Sequence, residues 1–181
     1  DSLSAFAEVA RLQECYLALH TAMASFGKFI PMQIVRNVLT SSTEARTALQ
    51  TCVVSVVFME LSGFGAVVNA CEDTSAIVYL LSSYMDAMSD QLVAAGGTID
   101  KYIGDAIMAF WGAPVDDKEH AKHSVITALE MQNALNELNP RLIAKGWPEL
   151  RIGVGINSGE VAVGDMGSPV RKAYTVMGDP V

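Results

Sequence analysis

Two carboxylates stand where apolar runs end. Glu60 closes "CVVSVVFMEL", and Asp105 follows Gly104 between the two apolar runs of "TIDKYIGDAIMAFWG". The Gly104-Asp105 pair predicts a two-residue turn closing a tight β-hairpin, where Asp also serves as an ordinary turn former. If the first run and the hairpin are neighbouring strands, both acids reach one edge of a sheet. Acids sharing a site repel unless a cation lies between them, and oxygen ligands of this kind suit Mg²⁺ or Mn²⁺. Two metals held by paired acids could activate a hydroxyl and steady a triphosphate. The turn after Glu60, Leu61-Ser62-Gly63-Phe64, offers backbone amides that could cradle phosphate oxygens, without the Gly-Lys-Ser/Thr ending of a P-loop. "GVGINSG" has the wrong spacing for a dinucleotide fingerprint, and a strand follows it. His120 and His123 could face one way on a helix, but no Glu or Cys joins them and they read as surface residues.

The composition narrows the class of partner. The formal net charge is −8, and the 12 Lys and Arg are scattered along the chain. That balance disfavours a nucleic-acid backbone binder and leaves room for a small nucleotide whose charge a metal carries. Cys15, Cys52 and Cys71 are far apart, without the spacing of a zinc site, and read as reduced intracellular thiols. No apolar run approaches the ~18 residues a membrane span needs. The start at Asp1, inside a helical pattern and without an initiating Met, reads as a piece of a longer protein.

The elements that must position these residues follow from periodicity. Ala5, Val9, Leu12, Tyr16, Leu19, Met23 and Phe26 alternate at spacings of four and three, which suits either a coiled-coil seam or an amphipathic helix packed on its own domain. Pro31 breaks the pattern, and "MQIVRNVL" predicts a short second helix. Residues 1–40 thus form a helical lead-in, 41–51 a polar linker, and 52–181 the main domain. There, a buried strand from about Cys52 leads into the loop "SGFGAVV". A helix from about Asp73 to Ala95 follows, with Asp73 or Thr74 as its cap and Gly96-Gly97 as its stop. The hairpin comes next, then a helix from about Lys118 to Leu138. Two glycine-rich strands follow, joined by a turn at Asn157-Ser158-Gly159. The order predicts an α+β sandwich, ferredoxin-like, with a mixed, mostly antiparallel sheet flanked by helices.

Together, "VVFMELSGF", "GGTIDKYIGDAIMAFWGAP", "HAKHSVITALEMQ" and "IGVGINSGEVAVGDMGS…YTVMGDPV" resemble the class III nucleotidyl cyclase catalytic domain, in the family's order and spacing. The resemblance covers residues ~50 to 181, and the middle motif is highly specific. "SFGKFIPMQIVRNVL" is similar to the helical lead-in of many microbial members, which carries a signal from a sensor or membrane segment. The resemblance implies a head-to-tail homodimer with active sites at the interface, in a cytoplasmic domain of a larger signalling protein. It implies an adenylyl cyclase that converts ATP to cyclic AMP and pyrophosphate, with two Mg²⁺ or Mn²⁺ ions per site.

Carried onto this chain, the resemblance assigns Asp105 as the second metal-binding acid, projected by the Gly104 turn, and puts Glu60 where the family has Asp. Lys101 and Thr175 match the purine-reading pair, both in the form that implies adenine. Leu61, Ser62, Gly63 and Phe64 match the turn whose backbone holds the triphosphate. The chain departs from the pattern at Glu60, whose extra methylene shifts the carboxylate by about 1 Å, and at Ser62 and Gly65, where the family has Arg and Thr. An Asn just after the position of Val181, and an Arg four residues further, would place the ribose and stabilise the transferring phosphate. Both lie past the end of the chain, as expected of a truncated one. The altered turn and Glu60 favour a second reading, a dimerising or nucleotide-sensing domain without turnover. Intact Asp105, Lys101 and Thr175 disfavour it.

Overall fold

A computed structural model describes residues 2–27, 49–71, 73–168 and 170–181. The chain divides into two units, Asp1–Ala45 and Arg46–Val181. In the first, helix α1 spans Ser2–Phe26. Val9, Leu12, Tyr16 and Leu19 of its four-three stripe are exposed, Leu12 by 70%. The second helix expected at 32–39 lies outside the described residues, as does most of the expected linker. Among the described residues no helix is long and apolar enough to cross a membrane.

The second unit runs β1 (Gln50–Leu61), α2 (Phe64–Ala70), α3 (Thr74–Ala94), β2 (Thr98–Ile103), β3 (Ala106–Trp111), α4 (His120–Ile143), β4 (Ile152–Gly167) and β5 (Lys172–Met177). The strands form one sheet in the order β2-β3-β1-β4-β5, and all four neighbouring pairs are antiparallel. The first four strands and two long helices give the ferredoxin-like split arrangement, with β5 added at one edge.

β1 is central and buried on both faces from Val54 to Val57, which is why it reads as an apolar run interrupted only by Ser55 there. Val57, Met59 and Leu61 meet the helices, packed with Leu80, Tyr84, Met88 and Leu92 of α3 and Met131, Leu135, Leu138 and Leu142 of α4. These helix positions recur every three or four residues, the spacing that presents one face to a sheet. Val54 and Val56 point the other way and are equally buried. Asp73 caps α3, its carboxylate accepting the Ala76 N–H at 2.7 Å. At the other end Gly96, at φ +75, lets Gly96 and Gly97 return hydrogen bonds to Val93 and Leu92. That crossed pair is the Schellman stop.

Three sequence expectations are corrected. "SGFGAVV" is not a loop: Phe64–Ala70 is the short helix α2, entered through Gly63 at φ +72 and anchored by buried Val67. α4 continues past Leu138 through Pro140 to Ile143, because Asn139 and Leu142 are buried there and hold the last turn against the domain. Asn157-Ser158-Gly159 is not a turn. The three residues pair with Val56, Ser55 and Val54 in a twelve-residue ladder, so β4 is one strand of 16 residues. Turn-forming residue types are overridden here by pairing to the central strand. Gly159 is needed for a different reason, since a Cβ there would lie 2.5 Å from Pro180 Cγ.

The outer half of β4 and β5 folds back on the sheet. Neighbouring strands lie about 4.8 Å apart, so β2 and β5, four steps apart, would be separated by roughly 19 Å in a flat sheet. Instead Thr175 of β5 hydrogen-bonds Asp100 of β2 at 2.5 Å, and the rings of Phe110 and Tyr174 lie 6.4 Å apart. Gly164, at φ +150, sits where β4 leaves β1 after the Gln50–Val163 pair. On the face away from the helices Val56, Phe110 and Val163 are buried, with Tyr174 of the arm lying beside Phe110.

Candidate active site

The β1–β3 ladder pairs Met59 with Ile107, which brings the end of β1 beside the β2–β3 turn. In that turn Ile103 pairs with Ala106, leaving only Gly104 and Asp105 at the tip, with Gly104 at φ +66. Asp105 is thereby aimed across at β1, and its Oδ2 accepts the Leu61 N–H at 3.0 Å. Glu60, the preceding residue, is exposed at the same edge. Asp105 is thus bonded to the backbone of the residue that follows Glu60, and both acids stand at one end of β1. Beneath them the phenol of Tyr84 is pushed well above its usual range, first by burial and then by the charges of Asp105 and Glu60. Its hydroxyl is buried without a hydrogen-bond partner.

The donor set fits a hard divalent cation. Asp105 keeps Oδ1 free while Oδ2 is tied to the backbone, and Glu60 adds a second carboxylate. No group of three or more His, Cys, Asp or Glu side chains converges to hold a metal among the described residues. Further ligands would be phosphate and water oxygens, the usual complement of Mg²⁺. The turn Leu61-Ser62-Gly63-Phe64 begins at this edge. Ser62 N–H bonds Arg151 O at 2.8 Å, and Gly63 O accepts from Ala66 and Val67 at the start of α2.

A second cluster lies on β2 and the folded-back β5. Lys101 Nζ donates to Thr175 Oγ1 at 3.4 Å, so the two residues expected to read a base are in contact within one chain. Asp100 joins them and was not singled out by the sequence. Its carboxylate accepts the Thr175 hydroxyl and lies 3.5 Å from Lys101 Nζ, with a side chain only 1% exposed. Burial raises its pKa, and the opposing pull of Thr175 and Lys101 offsets this only in part. A register shift between Ile99 and Lys101 marks a bulge in β2, which lets consecutive residues turn toward one partner. The available signal was an Asp-Lys pair inside an otherwise apolar strand.

The histidines are not idle surface residues. His120 Nδ1 lies 2.7 Å from the hydroxyl of Ser55, which also meets Ser158 at 2.6 Å, and His123 Nδ1 lies 2.7 Å from Asp117. Both tie the start of α4, the first to the sheet and the second to the preceding loop. Asn139 was also missed: it bonds both N–H and C=O of Leu150 and fixes the approach to β4.

Known proteins resemble this domain in sequence and fold. The family described as "Adenylate and Guanylate cyclase catalytic domain" matches residues 47–181. "Adenylate cyclase 1" of Rhizobium meliloti (strain 1021) is 32% identical over the whole chain, which spans only 27% of that protein's length. The adenylyl cyclase CyaB from P. aeruginosa superposes with a TM-score of 0.70 at 32% identity, covering 74% of this chain and 69% of that one. The guanylyl cyclase Cya2 gives 0.69 at 34% identity, covering 73% and 66%. Fold and sequence are thus shared with cyclases of both nucleotide types, and the chain belongs to the adenylate and guanylate cyclase catalytic domain family.

Proposed function

We propose that this domain is an adenylyl cyclase, converting ATP to cyclic AMP and pyrophosphate at the interface of a head-to-tail homodimer. The observation that carries the reading is the Asp105 carboxylate held beside Glu60 by the Leu61 N–H. In the reaction the ribose 3′-oxygen attacks the α-phosphate in line, the bond to the β-phosphate bridging oxygen breaks, and the hydroxyl proton is lost. Glu60 and Asp105 would hold two Mg²⁺ or Mn²⁺ ions. Such ions lower the pKa of the attacking hydroxyl and neutralise phosphate charge. Asp105 is kept in position by its backbone bond, and Gly104 permits the turn. The turn Leu61-Ser62-Gly63-Phe64 receives the triphosphate at the amides of Gly63 and Phe64, because the Leu61 and Ser62 N–H groups are already bonded to Asp105 and Arg151. Lys101 and Thr175 of the opposing protomer receive the adenine. No protein nucleophile is required, since positioning and charge stabilisation supply the rate.

The exposed stripe of α1 supports a parallel coiled coil that passes a signal from an upstream sensor or membrane segment into a cytoplasmic cyclase. Cyclic AMP formation from ATP tests the reading, with Asp105→Asn as the control. That substitution should lower turnover by about 100-fold or more, the scale of losing a transition-state charge contact. An unchanged rate would remove Asp105 from the site. Glu60, longer than the family's Asp, favours a second reading in which the domain binds nucleotide or dimerises without turnover.

A further inference from the structure

We propose that Asp100 fixes the hydrogen-bond polarity of Thr175, and so makes the base pocket selective for 6-aminopurines over 6-oxopurines. The inference rests on the nucleotide-binding reading above and assigns a specificity role to a residue outside the Lys101–Thr175 pair. A threonine hydroxyl alone is ambivalent: it has one proton to give and lone pairs that accept. Here its proton is committed. An ionised carboxylate only accepts, so at the Thr175–Asp100 contact of 2.5 Å the threonine donates. Lys101 Nζ, 3.4 Å away, only donates, so it occupies an accepting position of the same oxygen. Toward a third group, Thr175 can then only accept.

The 6-amino group of adenine donates, and N1 of adenine is a bare acceptor for a lysine ammonium. Guanine reverses both: O6 accepts, and N1 carries a proton. A committed Thr175 pairs with the first and opposes the second, and a mispaired buried polar group is costly. Two further observations support a built device. The Asp100 side chain is 1% exposed, and its Oδ1 is buried with no partner. The β2 bulge spanning Ile99 to Lys101 is what lets Asp100 and Lys101 meet Thr175 together. Without Asp100 the hydroxyl would rotate freely and donate to a 6-oxo group.

The test is competition against mant-ATP on the full chain with Mg²⁺. The competitors are 3′-deoxy-ATP and 3′-deoxy-GTP, which lack the attacking hydroxyl and are not consumed. The unaltered chain should prefer the adenine ligand. Asp100→Ala should reduce that preference by about 10-fold, the size of one mispaired hydrogen bond, through weaker adenine and tighter guanine binding. Thr175→Val should also lose preference, and adding Asp100→Ala to it should change the ratio by less than about 2-fold, because Asp100 acts through the hydroxyl. Where Asp100→Ala fails to fold by circular dichroism, Asp100→Ser keeps a polar group in place and should shift the ratio in the same direction by less. An unchanged ratio in the folded single variant, or an equal shift with and without Thr175, would overturn the inference while leaving nucleotide binding intact. No displacement of mant-ATP by either ligand from the unaltered chain would overturn the nucleotide-binding reading itself and the inference with it.

Discussion

At the scale of single residues, the site turns on one carboxylate with an extra methylene. Asp105 is fixed by the Leu61 N–H, whereas Glu60 is exposed and its side chain bonds to none of the described residues. A shift of about 1 Å in a ligand matters to Mg²⁺, which demands near-octahedral geometry, and to a reaction that depends on placement. Glu60→Asp should therefore raise cyclic AMP formation, more with Mg²⁺ than with the more tolerant Mn²⁺. Initial rates with each metal check this, and a fall in both would show that the rest of the site is built around Glu. The position of Asp105 beside the end of β1 was legible in the sequence, because a two-residue turn between two apolar runs leaves it few places to point. Asp100 was not legible. Its partner Thr175 is 75 positions away, and only the folding-back of β5 brings them together.

At the scale of elements, local signals succeeded where one segment decides its own structure. Asp73 and Gly96-Gly97 bound α3 as expected, since a cap and a Schellman stop are properties of a few consecutive residues. They failed at β4, where Asn157-Ser158-Gly159 read as a turn and the twelve-residue ladder with β1 decided otherwise. The start of α4 illustrates a local device with a pH signature. Asp117 is held below its ordinary carboxylate range, chiefly by the hydrogen bond with His123, and also accepts the Glu119 N–H. Its folded pKa is lower than its unfolded one, so the stabilisation is present above the unfolded pKa and lost as pH falls through the folded value. The melting-temperature gap between the unaltered chain and Asp117→Asn should be full at about pH 5 and close below about pH 4. A gap that widens on acidification would contradict the assignment.

At the scale of the whole molecule, the folded-back arm explains why one protomer carries two separate clusters: metal-type acids at the β1 edge and a base-type cluster between β2 and β5. In the proposed head-to-tail dimer each active site takes one cluster from each partner. Mixing Asp105→Asn and Lys101→Ala protomers, each inactive alone, should then restore activity, because one of the two sites in the heterodimer is intact. Rates of the mixture against each variant check this, and a mixture as inactive as its parts would mean that each protomer holds a complete site. The chain spans about a quarter of the length of its Rhizobium relative. The most direct measurement is of product formed by the full-length protein from ATP and from GTP, with Mg²⁺ and with Mn²⁺. Metal-dependent cyclic AMP from ATP and far less cyclic GMP from GTP are expected. Equal use of both nucleotides would contradict the role given to Lys101 and Thr175, and no product from either, with turnover appearing only in Glu60→Asp, would contradict catalysis by this domain.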